Sequence, residues 1–115
     1  MDCVFCRIAA GESLAGVVFE NERVIIFTDH RPQAKIHLLV CPKAHYPTFM
    51  DTPAGEIEYL FKVCRNLAET LSVEDGFRMV INNGPQGGQI VFHLHVHFLS
   101  WLKDMPPGKI ELTVK

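Results

Sequence analysis

What this chain lacks narrows it before anything else does. No apolar run approaches the roughly 18 residues of a membrane-spanning helix, so an integral membrane protein is not expected. Neither charge sign dominates: Lys and Arg total 11, Asp and Glu 13, for a net charge of −2. A polybasic surface for bulk nucleic-acid backbone is thereby excluded, although a single nucleotide is not. The chain does not open with a basic stretch followed by an apolar one, so a secretory leader is not expected and the compartment reads as cytoplasmic, or nuclear. Without secretion, the four cysteines do not read as a disulfide framework. Internal repeats, low-complexity tracts and linkers are also missing, so residues 1–115 read as one domain.

What is present is concentrated. Cys41 and Cys64 lie in apolar patterns and read as small buried hydrophobes, whereas Cys3 and Cys6 form a C-x-x-C that lets two sulfurs reach one metal. Of six histidines, three form His93-Leu94-His95-Val96-His97; the others are His30, His37 and His45.

The apolar pattern predicts a short helix over 3–10, ended at Gly11, and a hairpin of strands 17–20 and 24–28. A third strand is expected over 36–41, stopped by Pro42. A long helix is expected over 53–73, with Thr52 as cap, Asp75-Gly76 as stop, and an apolar stripe of Ile57, Leu60, Phe61, Cys64, Leu67, Ala68 and Leu71. Strands over 77–82 and 91–99 complete the set, and the tail over 105–115 is expected to be partly ordered. Sequential strands with one long helix and no alternating βαβ pattern indicate an α+β fold with an antiparallel sheet.

In a strand, alternate side chains share a face, so His93, His95 and His97 point one way and Leu94, Val96 and Phe98 the other. Three imidazoles at period two have no packing rationale. They fit either a tri-His metal centre or phosphoryl chemistry, in which one neutral imidazole attacks phosphorus. The glycine-rich Asn83-Gly84-Pro85-Gln86-Gly87-Gly88 leads straight into this segment and favours the second, because glycines let backbone approach an anion closely.

The segment Gly87-Gly88-Gln89-Ile90-Val91-Phe92-His93-Leu94-His95-Val96-His97-Phe98-Leu99 resembles the signature of the histidine triad (HIT) family. Phe5-Cys6-Arg7-Ile8, Phe27-Thr28-Asp29, Pro32-Gln33-Ala34, His37, Val40-Cys41-Pro42-Lys43-Ala44-His45 and Arg78-Met79-Val80-Ile81-Asn82 are similar to its HINT-like branch of nucleotide-binding proteins. The resemblance implies a five-stranded antiparallel sheet with one long and one short helix. Two such sheets would join as ten strands in a homodimer, through the regions 53–73 and 77–82. It implies a hydrolase that binds purine nucleotides of the AMP or GMP type and cleaves at the α-phosphorus of nucleoside phosphoramidates, adenylylated amines or dinucleotides. His95 matches the nucleophile that carries the nucleotidyl group, His97 the histidine at the phosphate, and His37 its support from the neighbouring strand.

By the same resemblance Asn82 donates to a phosphate oxygen and Asp29 accepts from the ribose hydroxyls. Val4, Phe5, Ile8, Phe27 and His30 surround the base, and Gln89 and Val91 lie beside the nucleotide. A structural zinc is implied on Cys3, Cys6, His45 and His93. Ile90 stands where the enzymes of this branch usually carry Ser or Thr near the leaving group, and a hydrocarbon cannot donate there. His30 replaces an apolar residue, and Trp101 is displaced from the tryptophan position of the branch. A nucleotide-binding or scaffold protein with little turnover is the competing expectation.

Overall fold

A computed structural model describes residues 3–13 and 15–114. Its elements are α1 (Val4–Ala9), β1 (Val17–Glu20), β2 (Val24–Thr28), β3 (Ile36–Pro42), α2 (Ala54–Thr70), β4 (Arg78–Val80) and β5 (Val96–Ser100). One-turn 3₁₀ helices at Phe49–Asp51 and Pro85–Gly87 shape the connections. The strands form one five-stranded sheet in the order β1-β2-β3-β5-β4, and every pairing is antiparallel, as the pattern predicts. No helix among the described residues is long and apolar enough to cross a membrane.

Strand alternation divides the core in two. Val24, Ile26, Ile36, Leu38, Val40, Val96 and Phe98 lie on one sheet face and pack with α2 through Leu60, Val63, Cys64, Leu67, Ala68 and Leu71. Each large side chain buried this way contributes about 1.5–3 kcal/mol. On the other face Ile25, Phe27, Leu39 and Cys41 pack with Cys3, Phe5 and Ile8 of the α1 region. That second face, under the smaller helix, carries His37 and His97.

The α2 stripe differs from the expected one at three places. Phe61 is 43% exposed, while Val63 is fully buried, because the helix is rotated to turn Tyr59 and Val63 inward. Its ends differ too. Pro53, not Thr52, is the N-cap residue, and Thr52 Oγ1 instead donates to the Thr48 carbonyl at 2.8 Å. The helix stops at Leu71, before Asp75-Gly76. Ser72 takes φ 58°, the Ser72 amide donates to Glu69 O, and the Val73 amide donates to Ala68 O. This is a Schellman closure with serine in the place glycine usually fills.

β4 is shorter than expected, covering only Arg78–Val80. The final strand differs most. It begins at Val96, not residue 91, because pairing with β3 ends at Val40↔Val96. Residues 91–95 leave the ladder, and the Leu94 amide donates to the Tyr46 carbonyl at 2.7 Å. Alternation survives the departure: Leu94 still enters the α2 core. The 105–114 tail has no helix or strand, but the Ile110 amide bonds Val18 O at 2.9 Å and the Thr113 amide bonds Asn66 Oδ1 at 3.0 Å.

Candidate active site

The sheet face opposite α2 opens into a cavity of about 590 Å³. That lies within the range of roughly 300–1,000 Å³ typical of small-ligand sites. Val4, Phe5 and Ile8 of the α1 wall, Phe27 and Leu39 of the sheet, and Val91 give it an apolar side. Asp29, His30, Asn82, Gln89, His95 and His97 line it as well, so every residue expected at the nucleotide except His37 borders this one space. A second hollow, beside Arg23, Lys43 and Tyr59, has no histidine or cysteine.

The register explains the floor. Phe27 pairs with Leu39, and Leu39 with His97, so the three form one cross-strand row. His37, on the same face of β3, lies diagonally from His97, with its Nε2 3.0 Å from His97 Nδ1 and 3.4 Å from Asp29 Oδ2. The Gln33 amide donates to His37 Nδ1 at 3.1 Å. That bond leaves the His37 proton on Nε2, where it is donated to His97 Nδ1, and the His97 proton is then on Nε2. Burial lowers both imidazoles from their ordinary value, His97 to about 4 with His95 and His37 adding to the effect.

His95 has the opposite tautomer. Its Nδ1 lies 2.7 Å from the His93 carbonyl, which only accepts, so Nδ1 carries the proton and Nε2 keeps its lone pair. Burial lowers its pKa as well, which keeps the ring neutral. Phe5 meets the His95 ring edge-on, with centroids 5.0 Å apart, and meets Phe27 at 5.2 Å.

Asp29 Oδ1 accepts the Arg31 amide at 2.8 Å, and its carboxylate borders the cavity. His30 is mostly exposed on the rim. Asn82 Nδ2 donates to Gly87 O at 2.8 Å. Gly88 has φ +86°, which favours glycine, and a Cβ there would come within 3.3 Å of Asn82 Nδ2 and crowd that side chain. The loop's amides do not stand open to an anion as expected. Those of Gly87 and Gln89 bond Gly84 O, and that of Gly88 bonds Pro85 O. The buried Gln89 side chain is a strut: its Nε2 donates to Pro47 O at 2.6 Å and to Val91 O at 3.1 Å, while Oε1 accepts the Gly84 amide at 2.8 Å. Ile90 projects at the cavity mouth, 89% exposed.

The ligating atoms of Cys3, Cys6, His45 and His93 lie within 4.8 Å of one another. His93 Nδ1 is 3.5 Å from Cys3 Sγ, 3.4 Å from Cys6 Sγ and 3.2 Å from His45 Nδ1; Cys6 Sγ is 3.3 Å from His45 Nδ1. A tetrahedron with Zn–S of about 2.3 Å and Zn–N of about 2.0 Å has S–N edges of about 3.5 Å and N–N edges of about 3.3 Å. The donors therefore already have zinc's spacing. His93 Nε2–H donates to Pro42 O at 2.8 Å, which frees Nδ1 as a ligand. Burial raises the Cys6 thiol above its ordinary value, with Cys3 adding; a dication supplies the positive charge that paired thiolates need. A bound zinc would act as a structural clamp. It would tie α1, which begins at the Cys3 N-cap, to the segment before β5.

Sequence reasoning misses the backbone partners that set these tautomers: Pro42 O, His93 O and the Gln33 amide. No side-chain pattern encodes them. It also misses Leu39, which a run of apolar residues hides.

The HIT domain profile matches residues 10–103. A HIT-like protein of Chlamydia pneumoniae is 46% identical over 99 residues, covering 84% of this chain and 90% of that protein. A HIT family hydrolase of Legionella pneumophila superposes with a TM-score of 0.83 at 39% identity, over 93% of this chain and 100% of that one. A zinc-bound histidine triad family protein of Mycobacterium smegmatis superposes with a TM-score of 0.80 at 30% identity, over 93% of this chain and 85% of that one.

Proposed function

The chain belongs to the HIT domain family, and from that premise we propose that it is a purine-nucleotide hydrolase cleaving at the α-phosphorus through His95. One observation carries the proposal. His95 Nδ1 is fixed on the His93 carbonyl at 2.7 Å, so a neutral Nε2 lone pair borders a cavity of nucleotide size. Its relatives include a hydrolase, which supports the reaction class.

The base lies against Phe5, Ile8 and Phe27, with Val91 closing that side, and the ribose hydroxyls donate to Asp29. Asn82 and His97 Nε2–H donate to the α-phosphate oxygens. His95 Nε2 attacks phosphorus, a P–N bond forms, and the bond to the leaving group breaks. Water then cleaves the P–N bond, releasing the nucleoside monophosphate and restoring the imidazole. Holding nucleophile and phosphorus together removes the entropic cost of their encounter. His37 acts behind His97, holding its proton on the side that faces phosphate.

The substrates proposed are nucleoside phosphoramidates, adenylylated amines or dinucleotides, with AMP or GMP as product. The same reading includes a homodimer that joins sheets through α2 and the β4 edge, and a cytoplasmic location. Incubation with adenosine 5′-phosphoramidate tests the proposal. AMP release by the wild type and none by His95→Ala is expected; equal release by both overturns it. The exposed, donor-free Ile90 favours a second reading, nucleotide binding with little turnover. Tight AMP binding with no release from the phosphoramidate would select that reading.

A further inference from the structure

We propose that the metal cluster positions the nucleophile: zinc occupancy at Cys3, Cys6, His45 and His93 sets the orientation and tautomer of His95. Two routes connect them. The first is His93 itself. Its ring Nδ1 belongs to the cluster, its Nε2 is fixed on Pro42 O at 2.8 Å, and its carbonyl accepts the His95 Nδ1 proton at 2.7 Å. A ring held at both nitrogens leaves its own peptide little freedom, and these residues lie outside the β-ladder that would otherwise hold them. The second route is Phe5. It lies between the two cysteine ligands in sequence, and its ring stands 5.9 Å from His93 and 5.0 Å from His95.

Phe5 thus has a role beyond the wall of the base pocket. It is a positioning residue, pressed onto His95 by a short helix whose N-cap is a metal ligand. With only six residues, α1 has little helical stability of its own; Phe5 and Ile8 seat it on the sheet, and the clamp adds a second tether at its N-cap. Displacing the support of a reacting group by a fraction of an ångström lowers the rate of attack more than it lowers substrate binding.

The inference rests on His95 as nucleophile, and its test separates the two. Zinc-loaded protein and protein stripped by a chelator are compared by circular dichroism, by ¹⁵N spectra of the His95 ring, and by turnover of adenosine 5′-phosphoramidate. Loaded protein is expected to show one tautomer, protonated at Nδ1. Stripped protein of unchanged secondary structure is expected to show mixed tautomers and a kcat about 10-fold lower, with KM nearly constant. Should stripping also cost secondary structure, Phe5→Leu decides, since it keeps the metal ligands. A lower kcat with zinc retained is expected. A change in KM alone returns Phe5 to base contact and overturns the inference. An unchanged His95 tautomer and kcat after stripping overturn it as well. If His95→Ala turns over like the wild type, the function reading fails instead.

Discussion

His37 Nε2 lies 3.0 Å from His97 Nδ1, and the two imidazoles hold a single proton between them. The pair is stable only while both rings are neutral. Burial holds His97 at about 4 when folded, against an ordinary 6.5, and lowers His37 in the same direction. Between those values the unfolded chain binds more protons than the folded one, so stability rises with pH there. Urea midpoints are expected to be steady above pH 6.5 and to fall progressively toward pH 4. His97→Gln is expected to flatten that slope. An equally steep slope in the variant would remove His97 as its source.

Among the described residues, Asp29 is the one carboxylate bordering the cavity. Asp29→Asn keeps an acceptor for the Arg31 amide but loses a charged acceptor for ribose hydroxyls. KM for a ribonucleotide substrate is expected to rise about 10-fold, and that for its 2′-deoxy analogue to rise less. Equal changes for both sugars would place Asp29 elsewhere in the reaction.

Ile90 offers no hydrogen bond to a departing group. Ile90→Ser is expected to raise kcat severalfold on substrates with amine leaving groups, because an amine needs a proton partner as the P–N bond breaks. Its high exposure predicts an unchanged melting temperature. Steady-state rates and a thermal melt check both halves.

Ser72 occupies the left-handed region at φ 58°. Glycine pays no steric cost there, so Ser72→Gly is expected to stabilise the chain by about 0.5 kcal/mol. Chemical denaturation measures it, and activity is expected to be unchanged.

Much of this was legible in the residue order. The five strands, α2 and the C-x-x-C are written in periodicity and spacing. The resemblance to HIT proteins singled out His95 and the Cys3, Cys6, His45, His93 set. Less legible was where alternation stops being a ladder. His93 and His95 keep the period of a strand, yet the β3–β5 ladder stops at Val40↔Val96 while β3 itself runs on to Pro42, and nothing local to residues 91–95 reveals that they turn away toward Tyr46. Phe61 and Val63 suit a helix stripe equally well; only packing against the sheet rotates one outward. The tautomers were illegible for a third reason, since they are set by backbone groups that every sequence has.

β3 supplies Leu38 and Val40 to one side and His37 and Leu39 to the other. Stability and chemistry are thus read from one string of seven residues in two interleaved frames. Deleting a single residue there would exchange the frames, sending imidazole into hydrocarbon and leucine toward phosphate. No neighbouring strand could compensate, because β3 is flanked on both edges. Drift in substrate preference is therefore expected at positions outside this strand, such as His30 and Ile90 on the exposed rim, where little packing constrains the side chain.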